Sequence, residues 1–543
     1  MANLNLNRRD AGFLSVLIIV FLGLCTQFFW FTLDDAYITL RYSKHLAEGY
    51  GIVWNVGVDP VEGYTSFLWM IMGVIPHSVG LPPITFMKII GVVSTLSTIT
   101  AIYGYGRFRS INRWILLVGS AQIAISPAIA VLSVQGMETT TAMLLVLFST
   151  ISAVEVIRNY STKWAITMNI ALFIGMLTRP DLVVFGILLE AGIAGLLYRN
   201  DRIAELKYIT LIGFLLVFLP GVIYMLSRYI YFGYIFPNPF YIKSGLSQRG
   251  PIQIFEFVML LAGPLLFLTL ATSLLYTRCR KALVKMSPLI LAIVGFLSLY
   301  LFISPIQGFL YRFLIPMLPA LLLILMLALN RTKLEIENID IRSWPIMRVV
   351  MITLLISGLF VYPLFTAPES LSQTDRRTQG DRVVIGQALG TFENRDYQMF
   401  VSESGALPYY SGWDAVDWLG LNSEQIVHNG LTRQYLAEYE PDLIMFVTSR
   451  PVTFAQSKRP VLGTYLNNSS YTLVAVVPKQ NADGTNVHSG RLHLYFVNKE
   501  SDGYYDIGCT VLSQNLEYAN RSLIAKQATV NVEVSNITRR DCG

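Results

Sequence analysis

Charged side chains are scarce in this 543-residue sequence, in which Asp, Glu, Lys and Arg make up 14% of the residues. Soluble globular proteins carry roughly 25% and disordered chains are highly charged, so a disordered chain and most cytosolic enzymes are excluded. The chain has only four cysteines, which excludes a disulfide-stabilised mini-protein. It has five histidines, and no set of His, Cys, Asp and Glu has metal-ligand spacing, so no metal site is predicted.

Hydrophobic residues are abundant instead, at 53% of the chain, with a mean hydropathy of +0.51. At this length, such a composition indicates many membrane spans. Residues 1–365 hold 42 charged side chains and residues 366–543 hold 34. We therefore predict a membrane domain, 1–365, followed by a soluble domain, 366–543. The net charge of +6 comes with basic residues in short loops, which favours membrane topology over nucleic-acid binding.

Apolar runs long enough to cross about 30 Å of hydrocarbon lie at 11–33, 83–106, 114–134, 138–157, 163–178, 180–198, 208–230, 252–276, 287–304, 312–329 and 346–365. Lys and Arg cluster before the first run and after every even-numbered run. Since such residues stay on the cytoplasmic side, we predict about eleven transmembrane helices in a plasma (inner) membrane, with a cytoplasmic N-terminus and an extracytoplasmic C-terminal domain. Residues 66–80 are also apolar, but counting them as a span would put the next cluster of basic residues on the outer side. We therefore interpret them as an interfacial or re-entrant piece of the first external loop, 34–82.

The segment 366–543 alternates short β-like runs with helical and turn-rich stretches, which predicts a mixed α/β domain. Its β-like runs are Met399–Val401, Leu443–Val447, Tyr471–Val477 and Leu492–Val497. Cys509 and Cys542 both lie in this domain, where oxidation is permitted. Two cysteines leave both a disulfide and free thiols open.

Polar side chains gather at the predicted outward ends of the spans, and this shared side indicates a functional site. The first external loop opens with Asp34 and Asp35 in FTLDDAYITLRY. The other candidates are Arg41, Asn55, Glu62 and Tyr64 in the same loop, Glu138 in QGMET, Arg179 in TRPD, Asn238, Tyr241 and Lys243 in NPFYIK, and Arg312 in QGFLYRF. In the C-terminal domain, the candidate acceptor contacts are Glu403, Asp414, Asp417 and Trp418.

The Asp pair and the basic residues suit one reaction. A carboxylate at the membrane interface can accept the proton of an attacking sugar hydroxyl as a general base. Arg179, Lys243 and Arg312 would supply fixed positive charge to a phosphate leaving group. A phosphate ester whose charge is matched needs no separate general acid. These parts fit the inverting transfer of a sugar from a lipid phosphate to a hydroxyl.

Simpler interpretations remain open for each motif. An Asp pair after a span can merely end a helix, and Glu138 can cap one. Arg179, Lys243 and Arg312 can extend toward the interface or bind lipid head groups. The aromatic residues of the loops can form an interfacial belt.

The order of the motifs resembles one family. The run DDAYITLRYSKHLAEGYGIVWNVGVDPVEGYTSFLW is similar to the first periplasmic loop of the AftB-like GT-C glycosyltransferases, the family of the mycobacterial terminal arabinofuranosyltransferase. The resemblance continues through QGMET, MLTRPD, YFGYIFPNPFYIK and YRFLIPMLP into SESGALPYYSGWDAVDWLGLNSEQIV and EPDLIMF, and so covers roughly 30–450. The sequence departs from the family at His45, where Asn is usual, at Val58–Asp59 and at Phe67.

The resemblance implies a GT-C fold and a polyprenyl-phospho-sugar donor, which in that family is decaprenylphosphoryl arabinofuranose. It places a member of the Asp34/Asp35 pair at the position of the catalytic base. The expected enzyme needs no cofactor beyond its lipid-linked co-substrate, and moves a pentose or hexose to a glycan or glycoprotein acceptor. Two alternatives remain, a protein O-glycosyl or oligosaccharide transferase of the same fold and a lipid-glycan transporter or flippase.

Overall fold

The structure is a computed structural model that describes residues 8–243, 250–303, 309–332, 380–448, 460–478, 492–514, 520–528 and 531–542. Its helical part, residues 8–332, contains within those ranges α1 (Arg8–Phe28), α2 (Asp34–Ala47), α3 (Phe67–Val79), α4 (Pro83–Phe108), α5 (Arg113–Ala124), α6 (Pro127–Val134), α7 (Thr139–Asn159), α8 (Thr162–Thr178), α9 (Leu182–Arg199), α10 (Ile203–Gly213), α11 (Leu219–Phe232), α12 (Asn238–Lys243), α13 (Gly250–Phe257), α14 (Gly263–Leu275), α15 (Thr277–Lys285), α16 (Ser287–Leu299) and α17 (Leu318–Leu329). Short π-helical segments, Phe214–Phe218 and Val258–Ala262, join α10 to α11 and α13 to α14.

Six helices of the described residues are long and apolar enough to cross a membrane, or up to nine if each bent pair is one span. In the bent pairs α5–α6 and α15–α16, the two helices meet at 52° and 66°. In both pairs the second helix has proline in its first turn, where the missing N–H is tolerated but the preceding helix cannot continue. The predicted run 163–178 is the 17-residue helix α8, and the predicted run 346–365 lies outside the described residues, as does the predicted domain boundary after residue 365.

The first external loop folds into two helices rather than extended chain. Five residues separate the end of α1 from the start of α2, and the backbone N–H of Leu33, just before α2, donates to the Gln135 carbonyl. Helix α3, in the segment predicted to be interfacial, is a 13-residue apolar helix that packs against α2. It ends at Gly80, whose positive φ of 70° closes the helix in the left-handed conformation that favours glycine.

The C-terminal domain is built on a five-stranded mixed sheet with the strand order β2-β1-β3-β5-β4. Its strands are β1 (Gln398–Val401), β2 (Asp414–Asp417), β3 (Leu443–Thr448), β4 (Tyr471–Pro478) and β5 (Leu492–Asn498). Strand β1 pairs in parallel with β2 and β3, and β5 pairs antiparallel with β3 and β4. The helices of this domain are α18 (Gly380–Leu389), α19 (Ala406–Ser411), α20 (Glu424–Asn429), α21 (Arg433–Tyr439), α22 (Pro460–Asn467), α23 (Tyr504–Ser513) and α24 (Arg521–Gln527).

The predicted mixed α/β architecture of this domain is confirmed, and each of the four β-like runs forms a strand. Cys509 and Cys542 form the disulfide that the sequence left open. One hydrophobic cluster joins the domain to the first external loop, since buried Tyr42, Trp54 and Tyr64 pack with Met399 and Tyr495 of the sheet. Apolar burial therefore fixes the C-terminal domain against α2, which carries the Asp pair.

Candidate active site

Asp34 joins the helical part to the C-terminal domain. Its two carboxylate oxygens accept hydrogen bonds from the backbone N–H groups of Gly405, at 2.9 Å, and Ala406, at 3.0 Å, where α19 begins. Its Oδ1 also lies 3.3 Å from Nη1 of Arg382. Any side chain at position 405 would place Cβ 2.0 Å from the Asp34 carbonyl oxygen, so glycine is needed there. The Asp34 carboxylate is thus held by the C-terminal domain.

Asp35 faces a different partner. Its Oδ2 lies 3.2 Å from Nη2 of Arg312, and its side chain is 22% exposed. The Arg312 side chain is only 5% exposed and lies over the ring of Phe313. Its Nε and Nη1 are buried and have no hydrogen-bond partner among the residues that the structure describes. A buried charged donor without a partner is costly, so Arg312 is suited to bind an anion beside Asp35.

Arg179 and Glu138 lie next to this pair. The Arg179 guanidinium is bound to the Asp181 carboxylate, at 2.5 and 3.1 Å, and faces Glu138 at 3.5 Å. Its centre lies 5.2 Å from the Phe313 ring, and that of Arg312 lies 4.7 Å from the same ring. Arg179 and Arg312 therefore lie against one aromatic ring, whose face favours cations, and each of them faces a carboxylate, Glu138 and Asp35 respectively.

The NPFYIK motif lies at the edge of this region. Asn238 is buried; its backbone N–H donates to the Glu62 carbonyl and its side chain donates to the Gly420 carbonyl at 3.2 Å. Tyr241 is exposed and its ring lies 5.1 Å from that of His428. The side chain of Lys243, the third predicted phosphate ligand, lies outside the described residues.

Arg41 and Asn55 hold the first loop against the C-terminal domain. The buried Arg41 guanidinium donates to the backbone carbonyls of Trp54 and Trp413, both at 2.8 Å, and to that of Pro408. The Asn55 side chain forms hydrogen bonds with both the N–H and the carbonyl of Ala415 in β2, as a neighbouring strand would. Burial lowers the pKa of Arg41 to about 10, and its donors are used within the protein.

Glu62 and Tyr64 lie further along the loop, against α11. Both Glu62 carboxylate oxygens accept hydrogen bonds from Arg228. Burial raises the pKa of Glu62, and the hydrogen bond from Arg228 opposes this rise. The Tyr64 hydroxyl is buried and has no hydrogen-bond partner within the described ranges.

The four candidates of the C-terminal domain divide between the interface and the interior of that domain. The Glu403 carboxylate contacts Arg382, the same side chain that reaches Asp34. Asp414 lies in β2, where burial raises its pKa and the charge of Arg41 opposes the rise. Asp417 accepts hydrogen bonds from the backbone N–H groups of Leu419 and Leu421 and so shapes a turn. The Trp418 ring packs edge-on against that of Phe446.

Sequence reasoning missed several residues at this interface. Arg382 links Asp34 to Glu403, and His493 lies behind Glu403 with its ring against Asp381. A His in the hydrophobic strand LHLYFVN is the signal that could have indicated a buried polar role, because its neighbours are apolar. Nothing in the sequence near Arg382 indicates its partners, which lie far away along the chain.

Comparison with known proteins gives two further findings. A family model described as a domain of unknown function (DUF8728) matches residues 372–495, a segment that contains Arg382, Glu403 and His493. No curated protein matches the chain.

Among solved structures, ArnT from Cupriavidus metallidurans bound to undecaprenyl phosphate is similar over 90% of this chain and 98% of its own, with 13% sequence identity and a TM-score of 0.51. Its apo state has the same identity and coverage and a TM-score of 0.43, which is too low to carry an argument. The first likeness shows an ArnT-like GT-C fold, and the predicted fold class is confirmed. The finer resemblance to AftB-like enzymes stays a prediction.

Proposed function

We propose that this chain is a membrane glycosyltransferase that moves a sugar from a polyprenyl-phosphate donor to a hydroxyl acceptor on the extracytoplasmic face. The observation that carries the proposal is Arg312, a buried cation beside the partly exposed Asp35, two of whose nitrogens have no hydrogen-bond partner in the described part of the chain. The ArnT-like fold supports it, because a structure of that fold holds undecaprenyl phosphate. The donor sugar proposed from the sequence is arabinofuranose or another pentose or hexose.

Asp35 is proposed as the general base and Asp34 as a positioning residue. Both oxygens of Asp34 accept backbone hydrogen bonds from the C-terminal domain, whereas Asp35 meets a cation that also suits the donor phosphate. In the reaction, the acceptor oxygen attacks the anomeric carbon while its proton passes to Asp35. The bond from that carbon to the phosphate oxygen breaks, and polyprenyl phosphate leaves with the electron pair. Attack opposite the leaving group inverts the anomeric centre.

Arg312 is proposed to bind the phosphate and to stabilise the charge that develops on it. Arg179 is already paired with Asp181 and Glu138, so we assign it a supporting part: it packs against the same Phe313 ring as Arg312. Lys243 remains a proposed second phosphate ligand. No cofactor or metal is included in the proposal.

The test compares the two neighbouring aspartates in purified full-length protein. Radiolabelled decaprenylphosphoryl arabinofuranose and undecaprenylphosphoryl hexoses serve as donors, and sugar release or transfer is measured. Asp35→Asn is expected to lower kcat about 10³-fold, as expected for loss of a general base. Asp34→Asn is expected to lower it about tenfold, because its amide still accepts one backbone hydrogen bond. Equal, full activity of both variants would sink the assignment, and donor binding without release or transfer would favour a transporter.

A further inference from the structure

The C-terminal domain places a third carboxylate, that of Glu403, next to the Asp pair. One nitrogen of Arg382, Nη1, contacts both Glu403 and, at 3.3 Å, Asp34. Arg382 therefore bridges the carboxylates of Glu403 and Asp34, and Asp35 is the next residue along α2. The Glu403 side chain is 25% exposed, so part of its carboxylate is accessible from the same region.

His493 lies beneath Glu403 and is aimed at it. Its side chain is only 3% exposed, and its Nε2 lies 3.7 Å from Oε2 of Glu403. That distance is too long for a hydrogen bond, and Nε2 has no hydrogen-bond partner in the described part of the chain. A buried polar atom without a hydrogen-bond partner lowers the stability of the protein, which favours a role for it in binding.

The orientation of the His493 ring is set from behind. Its Nδ1 lies 2.7 and 2.8 Å from the two carboxylate oxygens of Asp381, which also accepts from the Tyr495 hydroxyl. Burial opposes ionisation of Asp381, but the neighbouring His493 holds the pKa of Asp381 below its usual range. The ring therefore lies between two carboxylates, with Nδ1 at Asp381 and Nε2 facing Glu403. A hydroxyl placed between Nε2 and Glu403 can form hydrogen bonds with both, because it is at once a donor and an acceptor.

We propose that Glu403, Arg382 and His493 form the acceptor subsite, and that it takes a neutral, polyhydroxylated glycan end. The inference rests on the proposed function, since it places the acceptor beside Asp35. A carboxylate, an imidazole nitrogen and a guanidinium together match the donor and acceptor capacity of sugar hydroxyl groups. The subsite holds two carboxylates, Asp34 and Glu403, against the single guanidinium of Arg382, and this excess of negative charge disfavours an anionic acceptor such as a uronic acid.

The experiment measures oligosaccharide binding to detergent-purified full-length protein by titration, with neutral manno- and arabino-oligosaccharides as probes and an oligogalacturonide as the anionic counterpart. At least one neutral probe is expected to bind, and the oligogalacturonide at least tenfold more weakly. Glu403→Gln is expected to raise the Kd for that probe at least tenfold. The matched control, Glu393→Gln, removes an exposed carboxylate of the same domain that pairs with Lys44, and is expected to change the Kd less than twofold.

Binding of undecaprenyl phosphate provides the internal check. Glu403→Gln is expected to keep it unchanged, which shows that the variant is folded; if it is not folded, Glu403→Asp replaces it, with the same expected loss of oligosaccharide binding. Equal oligosaccharide binding by wild type and variant, no binding of any neutral probe, or preference for the anionic probe overturns the inference. A wild type that binds oligosaccharide but not undecaprenyl phosphate contradicts the proposed function instead.

Discussion

The two ends of the helical part treat their buried charges differently. At the end predicted to be cytoplasmic, the fully buried Asp10 faces both Arg107, at 3.3 Å, and Arg113, at 3.1 Å. Glu155 faces Arg109 in the same region. Each of these cations faces a carboxylate of the protein itself. Such groups hold helix ends together and leave little for a ligand to bind.

At the opposite end, the charge is incompletely matched. Nη2 of Arg312 donates a hydrogen bond to Asp35, and its Nε and Nη1 have no hydrogen-bond partner within the described residues. Burial of a cation in this state lowers stability unless an anion completes it. The same residue types thus differ in role. The arginines that face Asp10 and Glu155 stabilise helix ends, whereas Arg312, which is more deeply buried, keeps two nitrogens that face no carboxylate of the described residues and so is suited to a ligand.

The largest effect expected from this comparison is on stability at the Asp10 end. Asp10→Asn leaves Arg107 and Arg113 without their shared anion, and breaking a buried ion pair costs about 3 kcal/mol. The melting temperature in detergent, followed by tryptophan fluorescence, is expected to fall by several degrees, while undecaprenyl phosphate binding of the folded fraction stays within twofold.

Asp201→Asn is the control for this variant. Asp201 is exposed and has a positive φ of 54°, a conformation that Asn tolerates well. Its melting temperature is expected to equal that of the wild type. A large loss of lipid binding in folded Asp10→Asn protein would show that the two ends are coupled and not separate in role.

The next effect is on affinity at the Arg312 end. Arg312→Gln removes the charge-assisted hydrogen bonds that we propose for the donor phosphate, each worth about 1.5–3 kcal/mol, so the Kd for undecaprenyl phosphate is expected to rise at least tenfold. Its melting temperature without lipid is expected to change little, because loss of the ion pair with the partly exposed Asp35 is offset by removal of an incompletely satisfied buried cation. Arg199→Gln, at an exposed position at the end of α9, serves as the control. If Arg312→Gln lowers the melting temperature as far as Asp10→Asn does and leaves the Kd for undecaprenyl phosphate unchanged, Arg312 has a structural role.

Local pattern was enough to predict much of the fold but not the division of tasks within the site. Apolar runs and short β-like runs predict helices and strands, because each depends on neighbours in sequence. Asp34 and Asp35 are adjacent, yet about 100° of helical rotation directs them to different partners. Those partners, Gly405 and Arg312, are hundreds of residues away, and no periodicity encodes such contacts.

The effect that is smallest near neutral pH is a pH dependence at the outer end, carried by His45 of α2. The ring is buried, with its Nδ1 2.9 Å from the Val53 carbonyl. Burial, and then the charge of Arg41, lower the pKa of His45 to about 4, against about 6.5 in an unfolded chain. Between these values the unfolded state binds more protons, so the stability held above pH 6.5 is lost as the pH falls toward 4.

The expected loss is about 1–3 kcal/mol over that interval, since one pKa unit corresponds to about 1.4 kcal/mol. His45→Asn introduces the residue usual in the AftB-like family; it removes the titrating ring and keeps an amide that can donate to Val53. Melting temperatures in detergent at pH 7.5, 6, 5 and 4.5 are expected to fall less steeply for this variant than for the wild type. If the melting temperatures of wild type and variant fall in parallel with pH, the acid sensitivity of the protein arises elsewhere. In that case the ion pairs of Asp34 and Asp35 hold α2 without a contribution from His45.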